Sequence, residues 1–154
     1  MKTIELLCSG ELKFKGLQEL EKKYLQNINY YVKFSIKKIK EIKHPEESSV
    51  REKETAAFLE EINARDYVIA LDQKGKKMDS LQFAGFLEQK ISYHPGRLVF
   101  VIGGFAGFSD LLRRRSDQVI SFSDLTFAHD IFRIVLLEQL YRALTIIRGI
   151  KYHR

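Results

Sequence analysis

A single cysteine, Cys8, is found among 154 residues. One thiol excludes an internal disulfide framework and a thiolate metal cluster. Cys8 lies in the apolar run Thr3–Cys8, so a buried, inert thiol is expected. No apolar stretch approaches the ~20 residues that a bilayer-spanning helix requires. Glu5 interrupts the short apolar run at the N-terminus, which excludes a signal-peptide core there and leaves a cytoplasmic protein as the expectation. Internal repeats, low-complexity tracts and linkers are lacking too, so residues 1–154 are expected to form one domain around one core. No set of His, Cys, Asp and Glu has metal-ligand spacing, and no metal is expected.

Positive charge, by contrast, is in surplus. Lys and Arg number 26 against 20 Asp and Glu, and the isoelectric point is about 9.4. Clustered cations attract phosphates and release counterions on binding, which favours a polyanionic partner. Many small proteins are basic without binding nucleic acid, so charge raises the odds for RNA or DNA only modestly. The hydrophobic fraction of 45% is ordinary for a globular chain and argues against disorder.

Apolar runs alternate with helical patterns. Ile4–Cys8 reads as a buried strand, Leu17–Ile28 as a helix, and Tyr31–Ile36 as a half-exposed strand. The lysine-rich stretch 37–47 reads as a mobile loop. Ser49-Val-Arg-Glu52 has the form of a capping box, predicting a helix from there to about Ile62. Tyr67–Leu71 is a continuous apolar strand. Asp79 caps a helix through Ile91, His94-Pro95-Gly96 forces a turn, and Leu98–Ile102 is a further strand. Ser109 can cap a short helix through Arg114, Val119–Phe122 gives one more strand, and Asp130 can open a long final helix. Strands separated by helices imply βαβ crossovers, and strands apolar on every residue are covered on both faces. The class is α/β, a mostly parallel sheet flanked by helices.

The final helix, Ile131–Ile147, carries Arg133, Glu138, Gln139, Arg142 and Thr145 without gathering them on one side. A helix with no single wet face is usually buried on more than one side, and in so small a chain a homodimer is the physical expectation. A helix threaded through its own domain is the alternative.

Three segments carry candidate chemistry. Ile102-Gly-Gly-Phe-Ala-Gly107 follows a strand and precedes a helix, where glycines let backbone approach a ligand, although a plain tight turn explains the pattern equally well. Ser121–His129 is rich in hydroxyls and apolar side chains, suited to an adenine edge, or else an ordinary capped loop. Arg148–Arg154 is a basic tail in which Tyr152 could stack on a base while Lys151 and Arg154 contact phosphates, or a frayed terminus.

In this order the segments resemble the ribosomal RNA large-subunit methyltransferase H family, almost end to end. Leu98–Gly104 looks like its apolar strand ending in Ile-Gly-Gly; Ser121–His129, with Leu125-Thr126 and His129, is similar to its Ser-x-x-Leu-Thr-x-Pro-His loop. Arg133–Ala143 matches its last helix nearly residue for residue, and Tyr152-His153-Arg154 its closing tripeptide. The resemblance implies the SPOUT class: a C-terminal trefoil knot, rare because chains seldom thread, a homodimer, S-adenosyl-L-methionine (AdoMet) held in the knot, and methylation of N3 of a pseudouridine of large-subunit rRNA in the assembled ribosome. Carried over by position, Leu71, Gly103, Phe122, Ser123, Asp124, Leu125, Thr126 and Phe127 would cradle AdoMet. Arg133, Arg142, Tyr152, His153 and Arg154 would face RNA or the methyl acceptor. His153 is the expected base by type, at even odds with a phosphate or packing contact, and Arg142 or Arg154 would stabilise the ring anion. His129 is expected to be structural.

The match departs at Phe105 and Ala106, where the family usually has Pro or Ala and then Glu, at Ala128 and Asp130, where it has prolines, and at Gly149-Ile-Lys151, which replaces Asn-His-Pro. These departures leave two other readings open: a SPOUT methyltransferase with a different RNA target, or a non-catalytic RNA-binding relative.

Overall fold

The computed structural model describes residues 1–153. Among them strands and helices alternate strictly: β1 Thr3–Ser9, α1 Lys15–Asn29, β2 Lys33–Ile39, α2 Glu47–Glu61, β3 Tyr67–Lys77, α3 Ser80–Tyr93, β4 Leu98–Ile102, α4 Asp110–Arg115, β5 Gln118–Ser121 and α5 His129–Ile147. The strands form one sheet in the order β2-β1-β4-β3-β5, with every pairing parallel. The expected α/β class is what the chain adopts.

Alternation along β4 shows how the layers form. Leu98, Phe100 and Ile102 join a cluster with Ile28 of α1, Phe83 and Leu87 of α3, and Leu136, Leu137 and Leu140 of α5. Val99 and Val101 point the other way, onto Phe58 of α2 and Leu112 of α4. A strand that buries both faces has no polar side to alternate, which is why β4 reads as an unbroken apolar run. Cys8 lies in the first cluster; burial, the largest cause, pushes its thiol up to about 11, consistent with the inert role expected of it.

Several boundaries differ from the sequence reading. Strand β2 continues to Ile39, into the stretch read as a loop, because its whole length pairs with β1 from Thr3↔Lys33 to Ser9↔Ile39. The lysines there find carboxylates: Lys37 meets Glu61, and Lys38 lies 2.9 Å from Glu11 and 3.0 Å from Glu21. Helix α2 begins at Glu47, with Glu46 in the cap position and no side-chain cap, so Ser49–Glu52 lies inside its first turns rather than forming a capping box. Asp79 and Gln82 do form a reciprocal capping box on α3, and Ser109 caps α4 at the Leu112 amide. Helix α5 starts at His129, which puts Asp130 in its first turn, where the positive helix end favours a carboxylate.

Beneath the sheet, Arg97 joins three elements. Its guanidinium donates twice to Asp66, at 3.1 and 2.7 Å, once to the Glu61 carbonyl at 2.7 Å, and also to Glu5 of β1. Burial works against the Asp66 charge, but Arg97 and the Asn63 amide overcome it and hold the carboxyl below the usual carboxylate range. A lowered native pKa gives stability that is present above the unfolded value near ~3.9 and is lost as pH falls through the native value. Asp66→Asn is therefore expected to cost about 2 kcal/mol at pH 7. Its urea midpoint should approach that of the parent protein as pH falls below about 4 and meet it only below the native value of Asp66; a gap that stays constant with pH would contradict this account.

Candidate functional site

In an open parallel sheet, ligands bind beyond the carboxyl ends of the strands. Here the ends of β4 and β5, at Ile102 and Ser121, and the point in β3 just after Leu71 where its pairing with β5 shifts register, open into a cavity of about 420 Å³. That volume is in the range of small-molecule sites. Leu71, Gly103, Phe122, Ser123, Leu125, Thr126 and Phe127, all singled out in the sequence, line it together. Asp124 does not: its carboxylate turns outward to Lys77 Nζ at 2.5 Å.

The loop from β5 to α5 is held from both sides. Gln73 Nε2 donates to Thr126 Oγ1 at 2.6 Å, and Ser123 Oγ accepts from the Leu125 amide at 2.9 Å. Phe122 stands edge-on to Phe83, with centroids 5.2 Å apart, and packs on Phe132, which also meets Phe127. These rings give the cavity an apolar wall. Opposite them, Gly103-Gly104 turns the chain and Gly107 takes φ 76°, a left-handed conformation that favours glycine.

Sequence reasoning missed Asp72, Gln73 and Arg113 in the lining. Asp72 and Arg113 form an ion pair at the cavity, with side chains 15% and 32% exposed. They come from β3 and α4, which no local motif connects. His129, read as structural, lines this cavity and a smaller neighbouring one.

The smaller cavity contains the carboxylate of Glu54, 3% exposed, on α2. Its Oε1 accepts from the Gly104 amide at 2.7 Å. Burial pushes this carboxyl above its ordinary range, while hydrogen bonds from the Gly104 amide and the Ser9 hydroxyl oppose the rise. Two other residues of α2 reach the same loop: Arg51 Nε donates to the Ala106 carbonyl at 2.8 Å, and Thr55 Oγ1 to Ser109 Oγ at 2.7 Å.

The tail builds a second cluster around Arg142. Glu138 Oε1 accepts from Arg142 Nε at 3.0 Å, from Arg142 Nη2 at 2.5 Å, and from the Tyr152 hydroxyl at 3.2 Å. The guanidinium lies 4.7 Å from the Tyr152 ring centroid. Burial, seconded by Glu138, pushes the Tyr152 phenol up to about 12, so it stays protonated. Arg142 Nη1 is 3.3 Å from His153 Nδ1. A guanidinium can only donate, so Nδ1 is the accepting nitrogen and the proton of the neutral ring sits on Nε2. In this arrangement His153 presents a donor outward, which does not fit the base expected of it. Arg154 lies outside the described residues.

Arg133, expected to face RNA, is 1% exposed. It donates to the carbonyls of Ser9 at 3.1 Å and Gly10 at 2.9 Å, and to Glu21 at 3.3 Å. Thr145 is buried as well and donates to the Arg142 carbonyl at 2.7 Å. These two explain why the polar residues of α5 lacked a common side. The main buried stripe runs through Arg133, Leu136, Leu137, Leu140, Ala143 and Leu144, with Thr145 buried beside it.

The cavity and the tail cluster share no lining residue. His129 is at the cavity and Arg142 thirteen positions on, so about 20 Å of helix separates them.

A family model described as "Predicted SPOUT methyltransferase" matches residues 1–153. Among curated proteins, the ribosomal RNA large subunit methyltransferase H of Christiangramia forsetii is 37% identical over 98% of this chain and 98% of its own. The protein of that name from Enterococcus faecalis is 40% identical over 98% and 99%. Among solved structures, a probable methyltransferase from Bordetella pertussis superposes with a TM-score of 0.59 at 12% identity, covering 93% of this chain and 95% of its own. A probable methylase family protein from Haemophilus influenzae does so with a TM-score of 0.57 at 8% identity, covering 99% and 71%. The likeness in structure concerns the fold.

Proposed function

The chain belongs to the SPOUT methyltransferases and, within them, to the ribosomal RNA large-subunit methyltransferase H family, and from that premise we propose that it methylates N3 of a pseudouridine in large-subunit rRNA, using AdoMet. The observation that carries the reading is the cavity, where seven of the eight residues carried over for AdoMet meet. Its chemistry suits a nucleoside: aromatic and aliphatic walls for the ring, and main-chain groups at Gly103 and along 122–127 for its polar edge. The trefoil knot belongs to the same reading, as the cavity is built between the segments 102–108 and 121–129.

When bound, AdoMet supplies an electrophilic methyl group. The protein must hold the acceptor in line with it and favour the ring anion left when N3 loses its proton. Arg142 offers a fixed cation, pre-oriented by Glu138, and His153 a donor at Nε2, both suited to the ring's carbonyl oxygens. Tyr152 offers a ring face for stacking.

Phe132 is the lining residue of α5 nearest to Arg142, ten positions and about 15 Å of helix away, beyond the reach of the arginine side chain toward the cavity of its own chain. A homodimer resolves this if one copy's tail lies over its partner's cavity. The mouth suits such docking, because Phe105, Leu125 and Phe127 line it and are exposed at 65, 70 and 38%. So small a dimer has little surface for reading RNA alone, which favours the assembled ribosome as substrate and the cytoplasm as its place of action. No helix among the described residues is long and apolar enough to cross a membrane, and no acidic, His or Cys group there could hold a metal.

The test is transfer of labelled methyl from AdoMet to ribosomes lacking this modification, followed by mapping of the label. Label on a large-subunit pseudouridine is the expected outcome. Label elsewhere would mean another RNA target; AdoMet binding without transfer would mean a binding protein.

A further inference from the structure

Helix α2 is an odd element for a packed layer, because three polar side chains on one of its faces reach into the loop after β4. Arg51, Glu54 and Thr55 stand at i, i+3 and i+4, which puts them side by side on a helix. Each takes a different point of the loop: the Ala106 carbonyl, the Gly104 amide and the Ser109 hydroxyl. Glu54 is the most deeply placed, and Gly104 is its necessary partner. A Cβ on Gly104 would stand 2.7 Å from Glu54 Oε2, so any other residue there would require the carboxylate to move.

The peptide between Gly103 and Gly104 is trans, as are all peptide bonds among the described residues, so its N–H and C=O point in opposite directions. With the N–H committed to Glu54, the Gly103 carbonyl points away from that carboxylate, and Gly103 lines the larger cavity but not the smaller. We propose that Glu54 is a positioning residue of the cofactor site: by holding the Gly104 amide it fixes the Gly103 carbonyl as an acceptor for an N–H donor of the bound nucleoside. This rests on the AdoMet reading above. The Gly104 carbonyl is tied separately, accepting from the Gly107 amide at 3.1 Å, so the Glu54 contact is what sets the Gly103–Gly104 peptide between two residues that permit many orientations.

Two variants separate the acceptor from mere bulk. Glu54→Gln keeps an acceptor oxygen of the same reach, whereas Glu54→Met fills the space and offers none. AdoMet affinity by calorimetry is expected to fall about ten- to hundredfold in Glu54→Met, and to stay within about threefold of the parent in Glu54→Gln. Hydrogen exchange of the Gly104 amide in the ligand-free protein should be slow in the parent and in Glu54→Gln, and fast in Glu54→Met. Parental affinity in Glu54→Met, or an equal loss in both variants, would overturn the proposal. Should Glu54→Met fail to fold, Arg51→Ala, on a half-buried side chain, loosens the same loop at Ala106. It is expected to weaken AdoMet about threefold or more, and no change would count against the clamp. A parent protein that does not bind AdoMet would overturn the cofactor reading instead, while the Gly104 exchange rates would still decide what Glu54 holds.

Discussion

Arg142→Ala is expected to bind AdoMet as tightly as the parent protein and to lose about 10²–10³-fold in kcat. The split follows from placement. Arg142 lines no part of the cavity, so cofactor binding has nothing to lose. Its guanidinium is held by Glu138 and stacked by Tyr152, which fixes a cation for an anion that exists only near the transition state. Arg142→Lys should recover little, because a lysine cannot make the paired contacts to Glu138 that set the orientation. The decisive form of the experiment mixes two inactive chains. Gly103→Val crowds the cavity, since a Cβ there already meets the Gly107 carbonyl at 3.3 Å. In the proposed homodimer, Arg142→Ala and Gly103→Val chains mixed one to one and allowed to exchange should pair as mixed dimers in about half of cases. Each mixed dimer has one intact cavity facing one intact Arg142, so activity should return to about a quarter of the parent level. Were cavity and arginine of one chain to act together, every chain in the mixture would be defective and no activity would return.

How much of this was legible in the sequence depended on how local each feature is. Strand β4 was readable because five buried residues in a row leave no other element plausible, and the caps of α3 and α4 because capping is a contact between neighbours. Six cavity residues were reached through the resemblance of two short segments, and Leu71 by carrying the resemblance over to a third, on β3. What stayed hidden depends on distant pairing. The continuation of β2 to Ile39 is fixed by β1, thirty residues away, and no lysine pattern announces it. Glu54 belongs to no local motif; only the fold sets it beneath Gly104. Neither Asp72 nor Arg113 has a local signature, as each acquires its role by facing the other across the sheet. His153 was legible by type but not by tautomer, which depends on an arginine eleven residues earlier.

Arg133 is the clearest case of residue type misleading, and its variant carries the largest expected change in stability. An arginine in a basic protein that acts on RNA invites the reading of a phosphate contact. Its surroundings give it other work. The chain leaves β1 at Ser9 and turns at Gly10, whose φ is 71°, and this turn leaves two carbonyls without strand partners. Arg133 Nη2 donates to both, and Nη1 to Glu21 on α1, tying α5 to the first crossover. Arg133→Met keeps most of the volume but leaves both carbonyls unmet in the interior. Glu21 keeps Lys38 at 3.0 Å, so no carboxylate is stranded and the cost stays below that of breaking an isolated buried pair. A loss of about 3 kcal/mol is expected, lowering Tm by about 10 °C. Affinity for ribosomes, measured well below that Tm, should be unchanged, and so should its dependence on salt. A phosphate contact predicts the reverse: an unshifted Tm, weaker binding, and a salt slope reduced by about one. Because Ser9 also supplies the hydroxyl beside Glu54, a small secondary weakening of AdoMet binding is expected from the same substitution, and Glu54→Gln should leave the Tm effect of Arg133→Met intact.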